Sequence, residues 1–183
     1  MTSLSGLANN AVVAAWTNAN PALGVFVPGM STVGAGPVYN TSIGGYAAVT
    51  FAGSANSVLT NTVTPPLSIC GADDWSVEAW VFNPAFSTTA AEDVLAWTGR
   101  DKWPSGSTGA CMEFRFGYDA NAIEHFGNNV GWGTMPTANA WHYIAVTRDA
   151  LGVERVFADG KLVNVASPAV VNLRSDSSFT LGG

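Results

Sequence analysis

WHYIAVTRDALGVERVFADGKLV, residues 141–163, holds three runs rich in β-branched and aromatic residues, Trp141 to Thr147, Val153 to Ala158 and Lys161 to Val165. Arg148-Asp149-Ala150-Leu151-Gly152 separates the first two and Asp159-Gly160 the last two. A two-residue type I′ turn needs positive φ at both central positions, which glycine takes freely and aspartate tolerates. The Asp-Gly pair therefore fixes a hairpin register, and the whole stretch reads as a β-meander. Ile144 and Val146 alternate with Tyr143, Ala145 and Thr147, while Val156 and Ala158 alternate with Arg155 and Phe157. Each strand thus has one apolar and one mixed face, the pattern of an antiparallel sheet with one side in a core.

Working outward, further short strands are expected over Val12 to Trp16, Gly24 to Val27, Tyr46 to Ala52, Ser57 to Thr60, Trp75 to Phe82, Asp93 to Thr98, Gly109 to Phe116 and Ile123 to Phe126. Gly53-Ser54-Ala55-Asn56 reads as a hairpin connection. Trp75 to Phe82 carries aromatics on both faces, as does a strand packed on one side by an opposing sheet and covered on the other by a loop or a partner. Turn residues recur every few positions between 17 and 45, so residues 1–45 read as an irregular part with one or two short strands. No helical period of ten residues stands out. Many short strands at regular spacing mean an all-β, two-sheet antiparallel β-sandwich, here one domain over 1–183.

WHYIAVTRD followed by RVFADGKLV, with AVTFAGSANSVLT (Ala48 to Thr60) and WSVEAWVFNP (Trp75 to Pro84) upstream in order, resembles the LamG-like jelly-roll modules of the concanavalin A-like lectin/glucanase superfamily. The resemblance covers residues 48–183. It implies a jelly-roll sandwich, an extracellular or cell-surface setting, and binding to a carbohydrate or glycoprotein. It also implies calcium as the usual metal, and further C-terminal strands that this sequence lacks. On that reading the chain is either a fragment or has a sheet edge open for a neighbouring chain, which would make it a structural or assembly subunit of a homo-oligomer or filament in place of a binding module.

Composition narrows the function further. Seven basic against 13 acidic residues give a net charge of −6, so there is no basic patch for nucleic acid. No run approaches the ~18 apolar residues that insert in a membrane. The opening MTSLSGLANNAVVAAW lacks the basic region of a secretory signal, so an extracellular role implies that the mature protein starts here or that a leader was removed. Cys70 and Cys111 form one disulfide or remain buried thiols.

A retaining glycosidase needs two carboxylates ~5 Å apart. Glu92 and Asp93 are adjacent and so on opposite faces, Glu113, Asp119 and Glu124 lie on different elements, and Glu78 stands alone in its strand. With no nucleophile elbow either, the chain reads as non-catalytic. Sugar binding asks instead for an exposed aromatic ring flanked by amides or carboxylates. Two Gly-bearing loops offer this: Trp103 with Asp101, and Trp132 with Asn128, Asn129 and His125. Trp16, Trp75, Trp80, Trp97 and Trp141 lie in strands and read as core or sheet cover. Asp119 and Asp149 are the acids to consider for calcium, although Asp149 also suits its turn. His142 reads as structural, bonding a neighbouring carbonyl.

Overall fold

The computed structural model describes residues 4–29, 36–52, 57–83, 91–97, 108–117 and 120–182. Fifteen strands lie among them. In chain order they are β1 (Ala11–Val12), β2 (Trp16–Thr17), β3 (Val25–Pro28), β4 (Val38–Ile43), β5 (Tyr46–Thr50), β6 (Leu59–Asn61), β7 (Trp75–Asn83) and β8 (Ala91–Trp97). Then follow β9 (Met112–Gly117), β10 (Asn121–Glu124), β11 (Val130–Gly131), β12 (Ala140–Arg148), β13 (Glu154–Ala158), β14 (Lys161–Ala166) and β15 (Phe179–Leu181). A small sheet has the order β14-β13-β12-β7, a large one β11-β10-β9-β8-β15-β6-β3-β2, and a third sheet the order β1-β4-β5. Every pairing of these strands is antiparallel, as expected for a sandwich.

The meander forms as its sequence dictates. Asp159 and Gly160 have φ of 51° and 77°, and Ala158 pairs with Lys161 across them. Asp149 holds the preceding turn, its Oδ1 accepting from the Leu151 and Val153 amides and its Oδ2 from Arg155. The period of two then sorts the side chains. Ile144, Val146 and Val156 are fully buried, while Tyr143, Ala145 and Phe157 between them are only half-buried. The inner residues meet Trp97, Met112, Phe114, Phe116, Ile123 and Trp132 from the large sheet and its loops, making one core between the two layers.

Charge also enters that core. Glu154, on the inner face of β13, has no exposed surface; its Oε1 accepts from His125 Nε2 at 2.9 Å and from Arg148 Nη1 at 3.2 Å. His125 follows β10 of the large sheet, and its Nδ1 donates to the Cys111 carbonyl at 2.7 Å. The carboxylate therefore ties one sheet to the other. A second histidine fixes the hairpin: His142 Nε2 donates to the Thr137 carbonyl at 2.9 Å, and its Nδ1 lies 2.8 Å from Asp159 Oδ2. The hydrogen bond from His142, followed by that from the Tyr143 amide, holds the Asp159 carboxyl below its usual pKa range.

The N-terminal part is more ordered than its turn residues suggest. Four strands begin within residues 1–45, not one or two, and the run from Val12 to Trp16 is split between the third sheet and the large one. The strands on either side of 53–56 do not pair with each other. Instead β5 pairs with β4 through Gly44-Gly45, both at positive φ, while β6 joins β3 and β15 in the large sheet. Gly44 is required there, because a Cβ would stand 2.8 Å from Phe82 and 2.9 Å from Trp141 Nε1. No disulfide forms either. Cys70 and Cys111 are buried free thiols, and burial pushes Cys111 up to about 12, which leaves it unreactive.

Glu154→Ala should cost about 3–5 kcal/mol, because it leaves Arg148 buried without its carboxylate. Leu151→Ala, 87% exposed in a turn, should change stability by under ~0.5 kcal/mol. Urea unfolding of the two variants checks the contrast. Because the Asp159 pKa is lowered in the folded state, the unfolded chain binds more protons across the acid range, so its contribution is full above the unfolded value of about 4 and is lost as pH falls through the folded one. Stability measured against pH should therefore drop less steeply below pH ~4 in Asp159→Asn than in the parent.

Candidate functional site

The outer face of the small sheet is built by the same alternation that fills the core. With Trp75, Val77, Ala79 and Val81 turned inward, β7 must present Ser76, Glu78, Trp80 and Phe82 outward. Register then sets their neighbours: Trp80 stands opposite Tyr143, Phe82 opposite Trp141, and Glu78 opposite Ala145. Trp80 is 68% exposed, and its ring lies 5.5 Å from that of Tyr143, tilted by 48°. Beyond them Phe157 pairs with Leu162, and Leu162 and Val165 are both exposed.

Polar groups sit within this apolar surface. The Tyr143 hydroxyl donates to Glu78 Oε2 at 2.5 Å, and that bond raises the tyrosine pKa, so the phenol stays a donor. One end of the face is bounded by the β4–β5 turn. Trp141 Nε1 donates to the Ile43 carbonyl at 2.8 Å, Phe82 meets the same indole at 5.7 Å, and Tyr46, largely exposed, stands edge-on to it at 5.9 Å. The result is an aromatic floor of two tilted rings at Trp80 and Tyr143, a carboxylate beside it, and an aromatic wall. Such a surface stacks on the C–H face of a sugar ring and bonds its hydroxyls.

The loop residues chosen from sequence lie elsewhere. Trp132 is fully buried; it stacks on Phe116 at 5.4 Å with planes 9° apart, and its Nε1 donates to the Arg115 carbonyl at 3.0 Å. It has no ring face to offer a ligand. His125 is equally buried and engaged with Glu154, so it is not a sugar-binding residue. Asn128 and Asn129 serve the loop itself, Asn128 Oδ1 accepting from the Val170 amide at 3.3 Å and Asn129 Oδ1 from the His125 amide at 3.3 Å. Asp101, Trp103 and Asp119 lie outside the described residues. Both Asp149 oxygens are occupied by its turn and by Arg155, which lowers its pKa and suits a turn anchor better than a calcium ligand. No group of three or more metal-ligating side chains converges among the described residues.

Sequence reasoning missed Trp80 because a tryptophan inside a strand suggests core. The signal was present in its parity, opposite to Trp75 and Val77. It also placed Glu113 and Glu124 on separate elements without bringing them together. They are cross-strand partners, and both reach Arg115 Nη2, Glu113 at 2.5 Å, with Asp93 3.8 Å from the same guanidinium. Both carboxylates are committed to one buried guanidinium, which offsets their charge and leaves neither free to reach a substrate from this position.

No family model and no curated protein sequence matches this chain. Solved structures do share its fold. It is similar to the binding domain of Paraclostridial Mosquitocidal Protein 1, with 14% identity and a TM-score of 0.55 over 95% of this chain and 45% of that one. It is similar to the botulinum neurotoxin serotype G binding domain, with 14% identity and a TM-score of 0.51 over 85% and 38%. The chain thus spans less than half the length of either. A third structure is domain 4 of AbnA, a GH43 extracellular arabinanase from Geobacillus stearothermophilus, in complex with arabinotriose; it matches at 17% identity and a TM-score of 0.52 over 95% and 84%. At these identities the likeness is one of fold: an all-β sandwich.

Proposed function

We propose that this chain is a non-catalytic, LamG-like binding module that works outside the cell and holds a carbohydrate on the outer face of its small sheet. The observation that carries the reading is Trp80, 68% exposed on a rigid strand with the Tyr143–Glu78 pair beside it. An indole in that setting is costly in water unless it meets an apolar surface. A bare hydrophobic partner would leave Glu78 with the Tyr143 hydroxyl as its one donor, whereas a sugar offers both a C–H face and further hydroxyl donors. Domain 4 of AbnA, of similar fold, was solved with arabinotriose, which supports a glycan as the ligand class. The ion pairing of Glu113 and Glu124 with Arg115 supports binding without hydrolysis.

The test is affinity electrophoresis through gels containing soluble arabinan, xylan, galactan or mixed-linkage glucan, followed by calorimetric titration with arabinotriose. At least one of these glycans should retard the protein. Trp80→Ala should then weaken binding about tenfold or more, because the stacking surface goes, while Tyr143→Phe should weaken it less. Because Trp80 is exposed, the same change should shift stability by under ~0.5 kcal/mol. Binding should survive EDTA, since neither ring nor carboxylate in this platform depends on a metal. Retardation that is untouched by Trp80→Ala, or absent in every gel, would overturn the proposal.

A further inference from the structure

Among the described residues, no strand lies beside one edge of β7. The strand ends the small sheet, its nine residues pair with β12 alone, and no backbone hydrogen bond joins its other edge to any described residue. Which groups face outward follows from the ladder. The Asp159 amide donates to the Tyr143 carbonyl, so Tyr143 bonds toward β13 and Ile144 toward β7. Ile144 is opposite Ala79, and the bonding side alternates along a strand. Ala79 with Val77 and Val81 therefore face β12, while Ser76, Glu78, Trp80 and Phe82 each turn an N–H and a C=O to the other edge, where no described backbone group meets them. A long strand of this kind has no lysine, proline or bulge to block edge pairing, and Glu78 is its one charge.

We propose that this edge binds a second copy of the chain, β7 against β7 about a two-fold axis at Ala79. The sequence singles out that register. Centred on Ala79, Glu78 faces the partner's Trp80 and Ser76 faces the partner's Phe82, so all four outward residues form bonded pairs. A shift by two in one direction puts Glu78 against Glu78 of the partner subunit, a like-charge pair. The opposite shift puts Ser76 against Pro84 of the partner subunit, which has no N–H to give. A shift by one sets bonding groups against non-bonding ones. The contact is isologous and closes as a dimer, joining four strands from each copy into one continuous sheet. It also joins the two outer faces: each Trp80 then stands between its own Tyr143 and the partner's Glu78. The dimer stands independently of whether that face binds sugar.

Sedimentation equilibrium across a dilution series, with no glycan present, tests it directly. The expected mass rises from the 18.9 kDa of one chain toward twice that value and stops there. Ser76→Pro removes an outward donor while leaving the bonds to β12, and should shift the dimer curve at least tenfold to higher concentration with the unfolding midpoint kept. Ala79→Cys places two thiols at the self-opposed, non-bonded position, where Cα atoms approach ~4.5 Å and a disulfide can form. Mild oxidation should cross-link it as a dimer, while the parent, whose thiols are buried, should not cross-link. A monomer at every concentration, a polymer without limit, or a dimer that ignores Ser76→Pro and does not cross-link at 79 would overturn the proposal. None of these results bears on glycan retardation or on Trp80→Ala, so the two proposals fail separately.

Discussion

A carboxylate with no exposed surface determines how the two layers lie. Glu154 comes from the small sheet, Arg148 from the strand next to it, and His125 from the large sheet, and each is turned inward. A buried ion of this kind tolerates little displacement, because losing a partner strands a charge in a medium that solvates it poorly. It therefore fixes parity. With Glu154 and Arg148 inward, Arg155, Phe157, Tyr143 and Ala145 must point outward, since strand side chains alternate. The candidate site is thus a consequence of the core: the platform at Trp80 exists because the opposite face of the same strands is fully committed.

The chain spends its few charges in a consistent way. Arg115, Arg148, Arg155 and Arg174 each meet a carboxylate, the first two in the interior and the others at turns or bends. These four are more than half of the seven basic residues in the sequence. The outer face of the small sheet accordingly reads as aromatic and hydroxyl-bearing. A surface of that kind suits an uncharged ligand better than a polyanion, whose binding would draw on basic residues and weaken with salt.

Local chemistry was the legible part. The Asp-Gly turn, the alternation in Trp141 to Val146 and the division of Trp75 to Phe82 into two faces all depend on near neighbours, and all are present in the structure. What required distant partners was not legible. Trp132 looks like a loop residue until Phe116 closes over it, and nothing near residue 132 reports that stack. The pairing of β5 with β4 in place of β6 depends on the crowding of Phe82 and Trp141 around Gly44, contacts made across much of the chain. The same limit explains the site. A tryptophan in a strand has two possible fates, and the choice lies with the strand opposite, not with its own neighbours.

The position of β15 has a consequence for how the molecule is made. Its three residues lie in the middle of the large sheet, with Thr180 paired to Thr60 on one side and to Ala96 on the other. Until residues 179–181 leave the ribosome, the large sheet exists as two unjoined halves, each with a bare inner edge. Contacts so distant in sequence close slowly, because the loop entropy they cost has to be met before the pairing rewards it. Synthesis is vectorial, so both edges wait for β15 after the strands that flank it in the sheet have been made. β15 acts as a keystone between the halves, and the low charge of the chain makes the interval before it is set a time of exposure to aggregation.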